Sequence, residues 1–235
     1  ARVAYTLRET GAAEGWNTWT VPVSGGQPTR MLPNAAGVTW IDDRHILFSE
    51  VLPNSTIHMA LKTATLGRAD TRSIYVPAHE RGMVHYSYLS PDRTSVLVVE
   101  MPATGGWGPC RVVPFDGSSA GRQVGPAGEC RAAAWSPDGR WMYFSAYVDG
   151  ESHLWRQRFP NGAPEPLTSG STTEEEGVAV APDGGSLITS LGRRQSSVWL
   201  HDPRGERLLS AEGFAFDPRL SADGGRVYYM LRRTD

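Results

Sequence analysis

Residues able to recognise charged or polar ligands occupy one repeated position in this sequence. His85, Arg131 and Glu176 each stand seven residues before an aspartate that lies in a turn. A guanidinium can bind a carboxylate through two hydrogen bonds, and neighbouring glutamates can bind a cation or a basic side chain. This chemistry fits a binding site for a charged ligand, provided that the fold brings the repeated positions together. The candidate ligand-binding residues are His85, Tyr86, Arg131, Glu175, Glu176 and Asp217.

One catalytic pattern is present, but its surroundings favour a turn. The segment GSSAG at 117–121 fits G-x-S-x-G, in which Ser119 would be the nucleophile. A nucleophile of this kind is followed by a helix, whereas Ser119 is followed by RQVGPAGE, which contains two glycines and a proline. We therefore assign no catalytic residue and expect no enzymatic activity from this chain.

A second pattern, HERGMVH, contains His79, Glu80 and His85. Its spacing differs from H-E-x-x-H, and Gly82 argues against the helix that would place both imidazoles on one face. A polar loop is the expected structure. No metal site and no other cofactor is predicted.

The elements that carry the candidate residues follow a repeat of about 45 residues that runs through the chain. The turn aspartates Asp43, Asp92, Asp138, Asp183 and Asp223 are 49, 46, 45 and 40 residues apart. Each repeat contains four short apolar runs separated by turns, as in RAAAW, RWMYFSA, HLWRQRF and EPLT. Helix-period patterns do not recur, so the chain is predicted to be all-β.

Tryptophans provide a second mark of the same repeat. Trp19 and Trp155 are 136 residues apart, and Trp155 and Trp199 are 44 apart. Met59 and Cys110 occupy the same slot in the intervening repeats. Because each substitute is apolar or nearly so, we expect this slot to be buried.

Four-stranded repeats of this length are typical of β-propeller blades. We therefore predict one domain over residues 1–235, an all-β β-propeller of four-stranded antiparallel blades with about five repeats present. The segment RVAYTL near the N-terminus matches RVYYML at 226–231, the second strand of a blade, which leaves one strand surplus to five repeats. Membership of a six- to eight-bladed ring explains that strand more simply than closure of a five-bladed one.

A propeller would also bring the candidate residues together. Equivalent positions at the starts of the innermost strands converge on the mouth of the central channel, where His85, Arg131 and the run 174–176 would meet. The alternative is a solvated rim, in which Arg131 pairs with Glu176 without a functional role.

The two cysteines are expected to be free thiols. Cys110 takes the slot of a buried tryptophan, and Cys130 begins an inner strand. A disulfide requires Cα atoms within about 7 Å, and strands of different rank in adjacent blades seldom approach so closely.

Composition limits the partners. The chain has 23 basic and 25 acidic residues, a net charge of −2, and no block of lysines and arginines, so nucleic acid is not an expected partner. No apolar run is long enough to span a membrane, so this segment itself is expected to make no membrane contact. The chain begins without Met and stops after a strand-like run, which is typical of a piece of a longer polypeptide.

The repeats WSPDGRWMYFSA, VAPDGGSLITS and LSADGGRVYYML resemble those of the TolB-type propeller family over essentially the whole chain. The C-terminal part from EEEGV to VYYML is also similar to propeller sensor regions attached to bacterial serine/threonine protein kinases or winged-helix regulators. That resemblance implies a sensor region that binds an unknown small ligand or protein in an extracytoplasmic or periplasmic location. A cytoplasmic location stays open.

Two other functions remain open. The chain could be the substrate-gating propeller of a serine peptidase related to prolyl oligopeptidase or tricorn, in which a separate domain performs the chemistry. It could instead be a TolB-like scaffold for protein–protein interaction, for which exposed loop aromatics such as Trp16 and Trp107 would supply contacts.

Overall fold

The computed structural model describes residues 2–8, 15–53, 55, 57–170, 173–193, 196–210 and 214–232, with the backbone alone for residues 173–176, 193 and 232. These residues form strands and turns, with no helix among them. The described part therefore contains no apolar helix of membrane-spanning length. The strands are β1 (Arg2–Arg8), β2 (Trp16–Pro22), β3 (Thr29–Leu32), β4 (Ala36–Trp40), β5 (His45–Val51), β6 (Met59–Thr65), β7 (Arg72–Tyr75), β8 (Met83–Leu89), β9 (Ser95–Met101), β10 (Arg111–Pro114), β11 (Arg122–Gln123), β12 (Glu129–Trp135), β13 (Trp141–Val148), β14 (Glu151–Arg158), β15 (Pro164–Pro166), β16 (Thr173–Val180), β17 (Leu187–Arg193), β18 (Trp199–Asp202), β19 (Gly205–Leu208), β20 (Phe214–Leu220) and β21 (Val227–Arg232).

The predicted four-stranded antiparallel unit is confirmed. Strands β4–β7, β8–β11 and β12–β15 each form one such unit in chain order, and one parallel bridge between Met59 and Met83 links the first two. Strands β1–β3 form a three-stranded antiparallel sheet. The remaining strands pair as the hairpins β16–β17, β18–β19 and β20–β21.

Hydrogen bonds within each turn explain the recurrence of aspartate and glycine. The Asp138 carboxylate accepts a hydrogen bond from Ser136 Oγ at 2.5 Å and from Arg140 N at 3.0 Å. Gly139 donates its N–H to Ser136 O and has a φ of +69°, which residues with a Cβ seldom adopt. In the first such turn the capping carboxylate belongs to Asp42 and not to Asp43, because Arg44 N and His45 N both donate to Asp42 Oδ1 at 2.8 Å.

The core lies between consecutive units because both faces of their second strands are buried. Val96 and Val98 pack with Leu47 and Leu61 of the preceding unit, whereas Leu97 and Val99, on the opposite face, pack against the following unit. Alternate side chains of one strand therefore serve two interfaces. The partners on the following side include Ala133, Trp135, Met142 and Phe144.

The predicted buried slot is occupied as expected in the middle of the chain and differs at the end. Met59 and Cys110 are buried, and Trp155 packs against the core. Trp199, however, is 52% exposed, so its predicted burial is wrong. Its strand pairs only with β19 among the described strands, and Trp199 packs in none of the core clusters of the described residues.

The expectation of free thiols is also wrong, because Cys110 and Cys130 form a disulfide. The chain before β10 contacts both its own unit, where Gly108 donates its N–H to Glu100 O at 2.9 Å, and the inner strand of the next unit. There Cys130 donates its N–H to Gly108 O at 2.9 Å. This second contact brings the two Cα atoms to 5.2 Å, within the usual range for a disulfide.

Candidate binding site at the inner-strand ends

The inner strand of each repeat carries a β-bulge at the position where the candidate residues stand. Val84 pairs with Glu100 and Tyr86 with Val99, which leaves His85 as the extra residue of β8. In β12 the pairing passes in the same way from Cys130 to Ala132 and leaves Arg131 as the extra residue. A bulge redirects the side chain of the extra residue and is frequent beside functional sites. The equivalent bulges of β4, β16 and β20 contain residues with positive φ, namely Gly37 (+59°), Gly177 (+81°) and Asp217 (+52°).

Three inner strands lie side by side. Thr39 Oγ1 of β4 donates to Ser87 O of β8 at 3.3 Å, and Trp135 Nε1 of β12 donates to Tyr88 O at 2.9 Å. The approach of β4 to β8 is close enough that a Cβ at Gly37 would lie 2.6 Å from His85 O. Gly37 therefore permits the contact that places the start of β4 beside His85.

His85 lies at the centre of an aromatic cluster formed by Trp16, His85, Tyr86 and Trp107. The His85 ring meets Trp16 edge-on with 5.8 Å between centroids and Trp107 with 5.2 Å. Tyr86 stacks on Trp107 at 6.1 Å with 22° between the planes. The Arg8 guanidinium lies over Trp16 at 5.5 Å. Tyr86 is 44% exposed and Trp107 is half-buried, so solvent reaches the cluster.

Burial controls the charge state of His85. Desolvation lowers the pKa of its imidazole, because the charged form loses hydration among the aromatic rings. The buried Nε2 atom has no hydrogen-bond partner among the described residues. A neutral imidazole at neutral pH therefore contributes an aromatic surface and an unused polar atom.

Arg131 contacts two side chains of its own unit. Its guanidinium lies 5.2 Å above the ring of Tyr147 and 3.7 Å from the Glu129 carboxylate. Glu129 also approaches the loop that carries Trp107, since a Cβ on Gly106 would lie 3.3 Å from Glu129 Oε1. An ion pair therefore borders the aromatic cluster.

The other predicted residues contribute less to this arrangement. Glu175 and Glu176 belong to β16 by their backbone, and their side chains lie outside the described residues. Asp217 forms an ion pair with Arg219 of its own strand at 3.1 Å. Among the described residues, Phe214 of the same hairpin forms an isolated β-bridge with Ser196, which belongs to neither β8 nor β12. The structure thus gathers His85, Tyr86 and the Arg131 region, whereas Asp217 stays with its own hairpin.

Backbone hydrogen bonds hold the Trp107 loop against the inner strands. Gly108 donates to Glu100 O at 2.9 Å and accepts from Cys130 N at 2.9 Å. Gly105 and Gly106 adopt φ values of +79° and +75°, which turn the chain sharply before the tryptophan. The disulfide begins two residues after Gly108 and ends beside Arg131. Trp107 and Arg131 are consequently attached to one rigid unit.

The aromatic cluster takes only His85 from the metal-like pattern and no residue from the serine pattern. Ser119 lies in the turn between β10 and β11, as expected, and its Oγ accepts from Gly121 N at 3.3 Å. His79 Nδ1 accepts from Arg81 N inside its own loop. Among the described residues no group of three or more His, Cys, Asp or Glu side chains is arranged to hold a metal ion.

Sequence reasoning missed how the loop aromatics combine with the inner strands. The repeat pattern did not place Trp16 and Trp107 beside His85, because both tryptophans fall outside the tryptophan register. Glu129 and Tyr147 carried no signal of their own. The glycine pair before Trp107 was the available clue, because glycines readily adopt the positive φ that a sharp turn requires.

Similar structures define the fold. No protein-family model matches the chain, and no curated protein matches it. The structure of TolB from Acinetobacter baumannii is 21% identical, with a TM-score of 0.60, and the match covers 99% of this chain and 58% of TolB. A putative TolB from Agrobacterium tumefaciens is 16% identical, with a TM-score of 0.54 over 98% of this chain and 82% of that one. A chain of a nidogen/laminin complex is 10% identical, with a TM-score of 0.60 over 98% and 86%.

These similarities place the chain in the β-propeller class and confirm the predicted fold. Within that class, two of the three similar structures described are TolB proteins, so the blades are TolB-like in structure. The chain spans 58% of the length of the Acinetobacter TolB. At these identities the similarity defines the fold alone.

Proposed function

We propose that this chain is a non-catalytic binding propeller that docks a protein or peptide partner at the inner-strand ends. The observation that carries the proposal is the convergence of Trp16, His85, Tyr86 and Trp107 beside the Glu129–Arg131 pair. Aromatic residues and arginine are enriched at the centres of protein interfaces, because they bury a large area at low entropic cost. A rigid backbone beneath them further lowers the free-energy cost of binding.

The finer role is that of a sensor region of a larger bacterial protein, as the resemblance to kinase- and regulator-attached propellers implies. A small ligand at the same site is the alternative form of this role. The buried disulfide supports an extracytoplasmic location, since disulfides persist in oxidising compartments.

Selection of displayed peptides tests the proposal without a known partner. A peptide library would be selected on the chain and counter-selected on a Tyr86→Ala, Trp107→Ala double variant. We expect the selected peptides to bind the unaltered chain at least about tenfold more tightly than the double variant, in line with the loss of an interface hot spot.

Trp40→Ala is the matched control, because Trp40 is 48% exposed and lies at the opposite end of its inner strand. Peptides that distinguish the double variant but not Trp40→Ala would support the site. Equal binding to all three chains would reject it.

A further inference from the structure

A groove at the other end of the strands separates the unit β4–β7 from the unit β8–β11. It has a volume of about 360 Å³, within the range of small-molecule sites. The walls carry both signs of charge, and Phe115 contributes an apolar surface between them. The ionisable side chains are Asp42, His45, Asp70, Arg72 and Arg93.

The next interface has an equivalent groove, so a comparison of the two separates features common to the repeat from features of the first groove alone. That groove, of about 360 Å³, lies between β8–β11 and β12–β15 and is lined by Ser95, Pro114, Ser119 and Phe159 among others. Phe159 directly follows the third strand of its unit, as Phe115 does. Ser95, the first residue of β9, corresponds to His45, the first residue of β5.

Each groove contains an arginine at the same position of the repeat, so this arginine is explained by the fold. Arg72 begins β7 and donates to Asp116 O at 2.8 Å and to Phe115 O at 3.3 Å. Arg122 begins β11 and donates in the same way to Pro160 O. Both arginines fasten the backbone of the following unit, so neither is needed to explain a ligand.

Asp42 also caps its own turn, but no carboxylate is among the described residues that line the second groove. His45 Nδ1 lies 3.0 Å from the Asp42 carboxylate, and its Nε2 lies 3.6 Å from Asp70 Oδ2. Backbone N–H groups hold the pKa of Asp42 at about 2 and lower that of Asp70, so both stay ionised at neutral pH. Two carboxylates thus face the groove from the wall formed by the first unit.

Arg93, on the opposite wall, occupies an unfavourable backbone position. Its φ is +59°, in a turn whose equivalents place Gly139, Gly184 and Gly224 at this point. A glycine would relieve this conformation, because it has no Cβ. Strained positions occupied by functional side chains are a recognised feature of binding sites. Arg93 lines the groove from the unit β8–β11, whereas Asp42 and Asp70 line it from the unit β4–β7.

We propose that this groove binds a small zwitterion of the α-amino-acid class. Asp42 and Asp70 would accept hydrogen bonds from its ammonium group, Arg93 would donate to its carboxylate, and Phe115 would contact its side chain. The proposal concerns a second site and does not depend on the function proposed for the inner-strand ends.

Isothermal titration of the whole chain with L-leucine tests this assignment. We expect saturable binding of L-leucine and at least about tenfold weaker binding of both N-acetyl-L-leucine and L-leucinamide, because each lacks one of the two charges. Absence of leucine binding, or equal binding of either blocked derivative, would overturn the proposal.

Arg93→Gly separates binding from folding. The variant relieves the positive φ, so we expect an unchanged or higher Tm together with at least about tenfold weaker leucine binding. Arg140→Ala is the control, since Arg140 lies in the equivalent turn of the next unit with its side chain 74% exposed. Binding that Arg93→Gly leaves unchanged, or that Arg140→Ala weakens equally, would reject the role of Arg93.

Discussion

The middle of the chain and its C-terminal hairpins use the same repeat but differ in burial. Val98 and Phe144, six residues after their turn aspartates, are fully buried, whereas Tyr229 at the same repeat position is 37% exposed. Ile188 and Leu191 of β17 are each 68% exposed, and Tyr228 of β21 is 56% exposed. The difference teaches that a repeat position acquires its burial from the units beside it and not from its own sequence.

The largest effect on stability is expected from the removal of one aromatic side chain from each region. Phe144→Ala is expected to destabilise the chain by about 3–5 kcal/mol, because it opens a cavity between two units. Tyr229→Ala should lower the free energy of unfolding by well under half of that, since much of its ring is in solvent. Urea unfolding of both variants measures the difference. Equal losses would show that the two regions are packed alike.

Removal of the disulfide should have the next largest effect. The bond closes a loop with a sequence separation of 20 in the well-packed region. Replacing both cysteines with alanine is expected to lower the free energy of unfolding by about 3 kcal/mol, mainly because the unfolded chain gains freedom. Reduction of the unaltered chain under denaturing conditions provides the control. A double variant as stable as the oxidised chain would contradict the expectation.

Turn glycines should behave alike in both regions, which sharpens the comparison. Gly139 and Gly224 share a φ of +69°, although one turn follows a buried inner strand and the other an exposed one. A Cβ would meet only an ordinary contact at Gly139 and nothing within 4 Å at Gly224. Each substitution to alanine should therefore cost about 1 kcal/mol through backbone conformation alone.

Thermal unfolding of the two alanine variants, side by side, measures this pair. A large difference between them would mean that turn conformation depends on packing after all. Replacing each glycine with asparagine, which tolerates positive φ better than alanine does, should recover part of the loss in both regions.

The smallest expected effect is a change of stability with pH caused by His85. Its folded pKa lies below the ordinary value of about 6.5, so the unfolded chain takes up a proton first as the pH falls. The stabilisation is therefore complete above about pH 6.5 and is lost as the pH falls toward the folded pKa. His85→Gln should therefore reduce the change in the free energy of unfolding between about pH 7 and about pH 5.

His201→Gln is the control for this profile, because the His201 side chain is 68% exposed and lies in a C-terminal hairpin. Chemical denaturation at a series of pH values would show the slope for each variant. An identical slope for the His85 variant and the unaltered chain would contradict the buried, neutral imidazole.

The sequence by itself determined the repeat, the four-stranded unit and the positions of the turns. Asp138 and Gly139 act within a few residues of their own backbone, so their meaning is local and can be read from spacing. The bulges at His85 and Arg131 also stand where the spacing placed the start of the inner strand.

Only the tertiary structure decided which of these positions meet. Trp107 meets His85 because its loop folds over its own unit, and Cys110 meets Cys130 because the same loop also contacts the next unit. No local pattern records either contact. Trp199 shares the register of the buried Met59, yet it is exposed and belongs to no core cluster of the described residues. Local hydrogen bonding follows from nearby residues, whereas burial and cross-unit contact depend on chain segments far away in the sequence.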